Sequence, residues 1–352
     1  MIVSYRGIGA VAKDGYLFRH IHSAVIPQKR YTCNMRMVFI AFGVLASLFA
    51  VVTLLVYILF FRPTISRRKQ KTPDVFEGEP KLEAYLPELH AAVDAFYRME
   101  KEKMYITSVD GIKLAAWYVR AEDAQGTVVC MHGYHANPMA NFSLAVQFFH
   151  ERGWNVLLPY ERAHGESGGK YLTFGVKERF DCRDWAAAVD KKNGGKLPII
   201  LYGVSMGAAT VLMASGTELS ENVAFIIADC SYTSARDEIA HVLKTSYRLP
   251  RFPILVISDM LTRAIAGFGL SEYSTLDALS ENTIPVLFIH GDADTFVPPY
   301  MSEQNYETCA SPKELLIVPG APHAANYVLG RKAYERKIIE YIDRYAAAAV
   351  EG

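Results

Sequence analysis

The chain has 352 residues, 51% of them hydrophobic and 12% aromatic, which is enough apolar material for one large folded domain or two ordinary ones. Lys and Arg together number 37, as do Asp and Glu, so the formal net charge is zero and no nucleic-acid partner is expected. Five scattered cysteines without a C-x-x-C pair indicate neither a disulfide framework nor a metal site, and most are expected to be buried apolar side chains.

A membrane segment is predicted at residues 37–61, because these 25 consecutive residues include no charged side chain. About 20 helical residues cross a bilayer, whereas the apolar part of a cleaved signal peptide usually has 7 to 15. A retained single-pass anchor is therefore the main interpretation, with a cleaved signal or a buried core helix as alternatives. Six basic residues follow the segment within 20 positions and four precede it, which favours a cytoplasmic C-terminal domain, although large domains also translocate against such a bias.

The regions on either side of this segment carry weaker signals. Residues 1–34 have no clear periodicity and are interpreted as an N-terminal extension outside the fold, with Met35 or Met37 as a natural start. Residues 62–81 are charged and contain proline, which is typical of a juxtamembrane linker. From Leu82 onwards apolar residues recur at spacings of three and four, which predicts an amphipathic helix opening a folded domain over 82–352.

The sequence of the domain predicts alternating strands and helices. Asp110-Gly111 between two β-rich runs predicts a hairpin. Six short apolar runs then end at turn residues, with helical stretches between most of them, which indicates a mostly parallel, doubly wound α/β sheet. About 50 residues separate two of these runs, so we predict a small helical lid at about 235–283, and the chain should end in a C-terminal helix from Asn326.

The stretch Gly203-Val204-Ser205-Met206-Gly207 follows a predicted strand and precedes a predicted helix. A sharp turn between the two crowds the positions beside the serine, so glycines are required there while the hydroxyl is held above the sheet edge. Ser205 is therefore a candidate nucleophile. The amide of Met206, at the helix N-terminus, is placed to donate to an oxyanion.

A serine hydroxyl becomes nucleophilic only when a base removes its proton, so a histidine held by a carboxylate should follow in the chain. One later strand is followed by Asp292 and Asp294, and either could supply the carboxylate. The next strand is followed by His323, which is the only histidine after residue 290. We therefore predict that Ser205 and His323 act together with one of these two aspartates.

With these motifs in order, residues of about 100 to 348 resemble the α/β-hydrolase superfamily. The resemblance is carried by His132-Gly133, by the loop at 161–169, by the serine turn, by the H-G-x-x-D-x-x-V-P pattern at 290–298, and by G-A-P-H at 320–323. It implies that Asp294 is the catalytic acid, that Asp292 stabilises its loop, and that the amide of Tyr134 is the second oxyanion donor. The N-terminal segment and the lid are most similar to membrane-anchored serine hydrolases of the cell-surface or extended type.

The resemblance has one departure, at the loop after the second predicted parallel strand. Glu161 and Ala163 stand where the family usually has Asp and Gly. We expect the loop to keep a structural role, with Arg162 and His164 fixing it by hydrogen bonds, because His164 precedes the serine and the catalytic histidine should follow it. His132 and His290 are interpreted as structural residues, and His135 either lines the pocket or lies at the surface.

The function expected from these features is hydrolysis of a carboxylic ester or thioester through an acyl-enzyme on Ser205, with no metal or cofactor. Four aromatic residues are expected to line a pocket for a hydrophobic acyl substrate, with plain core packing as the alternative: Tyr134, Tyr160, Tyr232 and Phe296. A serine peptidase or aminopeptidase and an acyltransferase remain alternatives, since the same triad supports both. A non-catalytic membrane-anchored binding protein on the same scaffold is a further alternative.

Overall fold

The computed structural model describes residues 35–56 and 80–346. Helix α1 (Met35–Val56) is apolar, and its residues Met35–Leu54 are long enough to cross a membrane. The predicted extension at 1–34, residues 57–61 of the predicted membrane segment and nearly all of the 62–81 linker lie outside the described residues, as do residues 347–352.

The folded domain is built on an eight-stranded sheet. Its strands are β1 (Glu102–Thr107), β2 (Lys113–Val119), β3 (Gly126–Met131), β4 (Trp154–Pro159), β5 (Ile199–Val204), β6 (Val223–Asp229), β7 (Val286–Gly291) and β8 (Lys313–Val318). They lie in the order β1-β2-β4-β3-β5-β6-β7-β8, with β2 antiparallel to both β1 and β4 and every other neighbouring pair parallel. The mostly parallel sheet and the hairpin around Asp110-Gly111 are confirmed.

Helices cover both faces of the sheet. They are α2 (Leu86–Arg98), α3 (Pro138–His150), α4 (Glu178–Lys192), α5 (Met206–Ala214), α6 (Ala235–Thr245), α7 (Ile254–Leu261), α8 (Thr275–Leu279), α9 (Tyr300–Thr308) and α10 (Asn326–Tyr341). Successive side chains of a strand point to opposite faces, so Val128 and Cys130 of β3 pack in one apolar core while Val129 and Met131 pack in the other. Because the central strands are buried on both faces, their sequences are continuous apolar runs.

Two helix boundaries differ slightly from the sequence-based expectation. Helix α2 begins at Leu86, after a 3-10 turn at Glu83–Tyr85, and the buried Leu82 lies ahead of it. Pro87 in the first turn accounts for this start, because proline lacks the N–H that an interior helical position would need. The C-terminal helix α10 ends at Tyr341 and continues as a π-helical turn, Ile342–Ala346.

The long interval between β6 and β7 contains α6, α7 and α8. Apolar residues from it pack at the carboxyl end of the sheet, where Leu255, Phe268 and Leu270 share a buried cluster with Met206 and Tyr232. Because β3, β5, β6, β7 and β8 run parallel, the loops that follow them all emerge at this same edge. The fold therefore gathers the candidate residues beneath this helical segment.

Candidate active site

The turn at Ser205 joins β5 directly to α5, and it holds the serine at φ 56° and ψ −117°. A positive φ is uncommon for a residue with a side chain and persists only where the surroundings enforce it. A methyl group added at Gly203 would overlap the carbonyl group of Gly207, and one added at Gly207 would overlap the carbonyl group of Met131. Both glycines are thus required by close backbone approach.

Three side chains from different loops form one hydrogen-bonded chain at this turn. Nε2 of His323 lies 2.9 Å from Oγ of Ser205, and Nδ1 of His323 lies 2.7 Å from Oδ2 of Asp294. Asp294 follows β7 and His323 follows β8, at neighbouring positions on the sheet edge. Of the two aspartates that the residues alone left open, Asp294 contacts the histidine. Asp292 instead accepts a hydrogen bond of 2.5 Å from the amide of Gly320, which joins the two loops.

The carboxylate of Asp294 is buried and fully engaged. Its Oδ1 accepts the backbone amides of Phe296 and Val297, both at 2.9 Å, and its Oδ2 lies 3.3 Å from Nε2 of His290. Burial alone would raise the pKa of Asp294, but hydrogen bonds from His290 and His323 outweigh it and lower the pKa to about 2. An ionised carboxylate can only accept, so Nδ1 of His323 carries the proton and Nε2 is free to accept from the serine.

Two backbone amides near Ser205 are the predicted oxyanion donors, those of Met206 and Tyr134. Met206 is the first residue of α5, so its N–H has no acceptor within that helix. Tyr134 lies in the loop between β3 and α3, and a side chain added at the preceding Gly133 would come within 3.4 Å of Cβ of Ser205. The side chain of Asn141 holds this loop by accepting from the amide of Gly133 at 2.9 Å.

A cavity of about 230 Å³ opens at Ser205. It is lined by Tyr134, His135, Phe174, Ser205, Tyr232, Glu238, Ile239, Val242, Tyr247, Phe296 and Val297. Three of the four predicted pocket aromatics therefore line it, and the ring of Phe296 lies 5.0 Å from that of His323. His135, for which pocket and surface were both open, also lines it, and burial lowers its pKa to about 4.

Tyr160, for which pocket lining and plain core packing were both open, does not line this cavity. It follows β4, and β3 separates β4 from the serine-bearing β5. The ring of Tyr160 packs against the backbone of Gly165 and lies 5.8 Å from Nζ of Lys103. Tyr160 is therefore a structural residue of the neighbouring loop.

That loop, at 161–169, is held by buried polar contacts. Arg162 forms a salt bridge of 2.7 Å with Asp181, and Nδ1 of His164 lies 2.9 Å from the carbonyl oxygen of Arg162. Nε2 of His132 accepts the amide of Glu161 at 3.1 Å. Both carboxylate oxygens of Glu161 lack a hydrogen-bond partner among the described residues, and burial raises the pKa of this side chain well above its ordinary value.

One group of potential metal ligands was found among the described residues, and it overlaps the hydrogen-bonded chain. The ligating atoms of Cys230, Asp294 and His323 lie within 4.8 Å of one another. Burial raises the pKa of the Cys230 thiol well above its ordinary value, whereas metal binding requires the thiolate. Asp294 is already engaged by two histidines and two amides, so the donor set suits hydrogen bonding better than a metal ion. All four described cysteines are buried and free.

Several residues of the cavity wall, including Glu238, were not singled out from the sequence, and Asp229 was also missed. Glu238 on α6 lines the cavity, but it was included only as part of the general lid region. Asp229 ends β6, its carbonyl oxygen accepts the amide of Ser205 at 2.8 Å, and its carboxylate accepts from Asn326 at 2.6 Å. The end of β6 next to the serine-bearing strand was the available signal for Asp229.

The strand order, the serine turn after β5, the acid after β7 and the histidine after β8 together define a class of protein. The chain belongs to the α/β-hydrolase superfamily.

One family model and three known proteins are similar to this chain. The family model described as serine aminopeptidase S33 matches residues 122–252. The uncharacterized protein YqkD of Bacillus subtilis is 32% identical over 254 residues, covering 72% of this chain and 83% of its own length. The uncharacterized membrane protein YNL320W of Saccharomyces cerevisiae is 27% identical over 224 residues, covering 63% and 73%. Among solved structures, an esterase of Pyrococcus furiosus has a TM-score of 0.59 at 24% identity, covering 72% of this chain and 94% of that one.

Proposed function

We propose that the protein is a membrane-anchored serine hydrolase that cleaves a carboxylic ester or thioester through an acyl-enzyme on Ser205. The observation that carries this proposal is the continuous hydrogen-bonded chain from Asp294 through His323 to Ser205, opening into a mainly apolar cavity. The same three residue types in this geometry perform acyl transfer on several unrelated folds.

In the proposed reaction His323 Nε2 takes the proton of Ser205 as Oγ attacks the substrate carbonyl carbon. The carbonyl oxygen becomes an oxyanion facing the amides of Met206 and Tyr134, and each such donor typically contributes about 10²- to 10³-fold in rate. His323 then gives its proton to the leaving alcohol or thiol, which departs and leaves an ester on Ser205. Water enters, loses a proton to His323 and releases the acid in the reverse sequence.

The character of the cavity favours a neutral, hydrophobic acyl group. Aromatic and aliphatic side chains form most of its wall, and no Lys or Arg is found among the described residues that line it. An anionic group near Ser205 would also approach the ionised Asp294 without a compensating cation. These features support esters and thioesters of uncharged acids as substrates.

Peptide cleavage is the second candidate, because the matching family model is described as a serine aminopeptidase. The same triad can cleave amides, and the acyl-enzyme would be identical. An amide leaving group requires protonation as it departs, so esters react faster than anilides with either kind of enzyme, and the two candidates differ in whether amides are cleaved at all. Ester turnover without anilide or peptide turnover supports the esterase, whereas anilide or peptide turnover that is lost in Ser205→Ala supports the peptidase.

The test of the proposed function uses p-nitrophenyl butyrate and a matching thioester with the full-length protein. Ser205→Ala should abolish turnover and labelling by a fluorophosphonate while the melting temperature is retained. Ser258→Ala is the matched control, because Ser258 is also buried but donates to the carbonyl oxygen of Ile254 in α7. Wild-type turnover by Ser205→Ala, or no labelling of wild type, would contradict the proposal.

Anchoring through residues 37–61 is part of the proposal and rests on the apolar helix α1 and on the printed description of the yeast relative as a membrane protein. A single spanning helix resists extraction at alkaline pH and is released by detergent. Fractionation of the full-length chain after alkaline wash should therefore retain it with membranes. Release into the supernatant, together with a mature N-terminus beyond residue 61, would indicate a cleaved signal instead.

A further inference from the structure

Glu238 on helix α6 lies in the wall of the cavity that contains Ser205. Its side chain is almost completely buried, with 5% of the residue exposed, and neither carboxylate oxygen has a hydrogen-bond partner among the described residues. The adjacent Asp237 behaves differently, since its carboxylate accepts from Thr233 at 2.9 Å and from Ser234 at 2.7 Å. Burying an unpaired polar group costs stability, so Glu238 is not explained by the fold.

The surroundings of Glu238 disfavour its charged form. Burial and the neighbouring carboxylate of Asp294 raise the pKa of Glu238 well above its ordinary value. The phenols of Tyr232 and Tyr300 also interact with it electrostatically, and His135 and Tyr247 line the same cavity. No Lys or Arg belongs to the described cavity wall. A protonated carboxyl group offers one donor and at least one acceptor side by side.

We propose that Glu238 is a substrate-recognition residue whose carboxyl group binds a neutral hydroxyl or carboxamide carried by the substrate within the Ser205 cavity. Such a substrate group supplies hydrogen-bond partners for the carboxyl donor and acceptor, which have none in the free protein. A purely aliphatic substrate fills the same space but leaves the carboxyl unsatisfied, and sites of this kind discriminate strongly against analogues that lack the polar group. The inference deepens the proposed function and rests on it.

The charge of the recognised group separates this proposal from its nearest rival. A cationic substrate would need Glu238 to be ionised, whereas a neutral substrate needs only the shape and the donor and acceptor pair. Glu238→Gln preserves that pair and carries no charge, and Glu238→Met removes it at similar size. Recognition of a neutral group therefore survives the glutamine substitution and is lost with methionine.

The experiment measures the rate at which matched fluorophosphonates label Ser205 in the full-length protein. Each probe carries a chain of three to eight carbons that ends in a methyl, hydroxyl, carboxamide or ammonium group. For wild type we expect the hydroxyl or carboxamide probe to react at least about tenfold faster than the methyl probe at the best chain length. Glu238→Gln should keep this preference within about threefold, and Glu238→Met should abolish it.

Asp237→Asn is the matched control, because it alters the neighbouring carboxylate of α6, which is not part of the described cavity wall. It should keep the wild-type preference. Equal labelling by all chains in wild type, a preference retained by Glu238→Met, or an ammonium preference lost in Glu238→Gln would each overturn the assignment.

A binding experiment distinguishes failure of the proposed function from failure of the recognition role. If no probe labels wild type, unreactive phosphonate diesters with the same chains are titrated calorimetrically into Ser205→Ala and Ser205→Ala/Glu238→Met proteins. Tighter binding of the hydroxyl or carboxamide chain that disappears with Glu238→Met would support the recognition role without catalysis. Equal binding by the two proteins would overturn it.

Discussion

Nε2 of His323 lies 2.9 Å from Oγ of Ser205, although 118 positions separate the two residues in the chain. The contact arises because β5 and β8 are parallel members of one sheet and the loops after them emerge at the same edge. A base within hydrogen-bond distance of a serine hydroxyl is the first geometric requirement for activating it. The contact therefore leads directly to predictions about activity.

Substitution of the base or of its acid should remove most activity without unfolding the protein. We expect His323→Ala to lower kcat/KM for a p-nitrophenyl ester by about 10⁶-fold, and Asp294→Asn by about 10⁴-fold, since asparagine can turn the imidazole to its unproductive tautomer. Asp292→Asn is the control, because Asp292 contacts the amide of Gly320 rather than His323. An equal loss in Asp292→Asn and Asp294→Asn would contradict the assignment of the acid.

The same carboxylate should contribute to stability at acidic pH. The pKa of Asp294 falls from 3.8 to about 2 in the folded protein, so the folded state favours the ionised form. This stabilisation is present above pH 4 and is lost as pH falls through about 2, and it amounts to about 2 kcal/mol. Urea unfolding should therefore show the difference between wild type and Asp294→Asn shrinking from pH 5 to pH 2. A constant difference over this range would contradict the prediction.

Two glycines near Ser205, Gly207 and Gly133, should differ in their tolerance of a methyl group. Gly207→Ala would place Cβ inside the carbonyl group of Met131, which is backbone and cannot move aside alone, so we expect a loss of about 3 kcal/mol or more. Gly133→Ala is the matched control, because its Cβ would meet its nearest neighbours at 3.4 Å, an ordinary contact. Melting temperatures of the two variants test this, and equal values would contradict it.

The predicted residues that the structure brings together are those whose positions depend on strand ends. Ser205, Asp294 and His323 each follow an apolar run that ends in turn residues, and parallel strands bring such ends together whatever the exact strand order. Tyr160 satisfies the same local rule but does not line the described cavity. Its distance from the serine depends on β4 lying beyond β3, which no local pattern of β4 encodes.

The cavity wall was harder to anticipate because much of it comes from the segment between β6 and β7. Ile239 and Val242 of α6 line the cavity, whereas the sequence predicted a lid over about 235–283 without indicating which of its residues face Ser205. Which helix of an insertion faces the site depends on how the insertion packs on the sheet. Helical periodicity places Glu238 on the same face as Val242 but does not reveal that this face meets Ser205.

The size of the cavity predicts a preference for short acyl chains. A volume of about 230 Å³ is below the range of about 300–1,000 Å³ typical of drug-sized ligand pockets. We expect kcat/KM for p-nitrophenyl esters to peak at short to medium chains and to fall for long ones, which cannot be enclosed. Val242→Ala removes two methyl groups from the wall, which enlarges the cavity and should move the chain-length optimum to longer acyl chains. Val189→Ala, at a buried position of α4 away from the cavity, should not move it. A rate that rises steadily to the longest chain would contradict the prediction.

Glu161 should lower the stability of the protein as pH rises. Burial, together with Glu178 and Asp181, raises the pKa of Glu161 well above its ordinary value of 4.5, so the folded state keeps a proton that the unfolded state releases. Stability therefore falls above about pH 4.5, by up to about 1.4 kcal/mol per pH unit until the folded carboxyl ionises. Glu161→Gln removes this dependence, so the difference in free energy of unfolding between this variant and wild type should shift in favour of the variant as pH rises from 5 to 8. The exposed Glu221→Gln is the control in urea unfolding, and parallel pH profiles for Glu161→Gln and wild type would show that Glu161 is not held neutral.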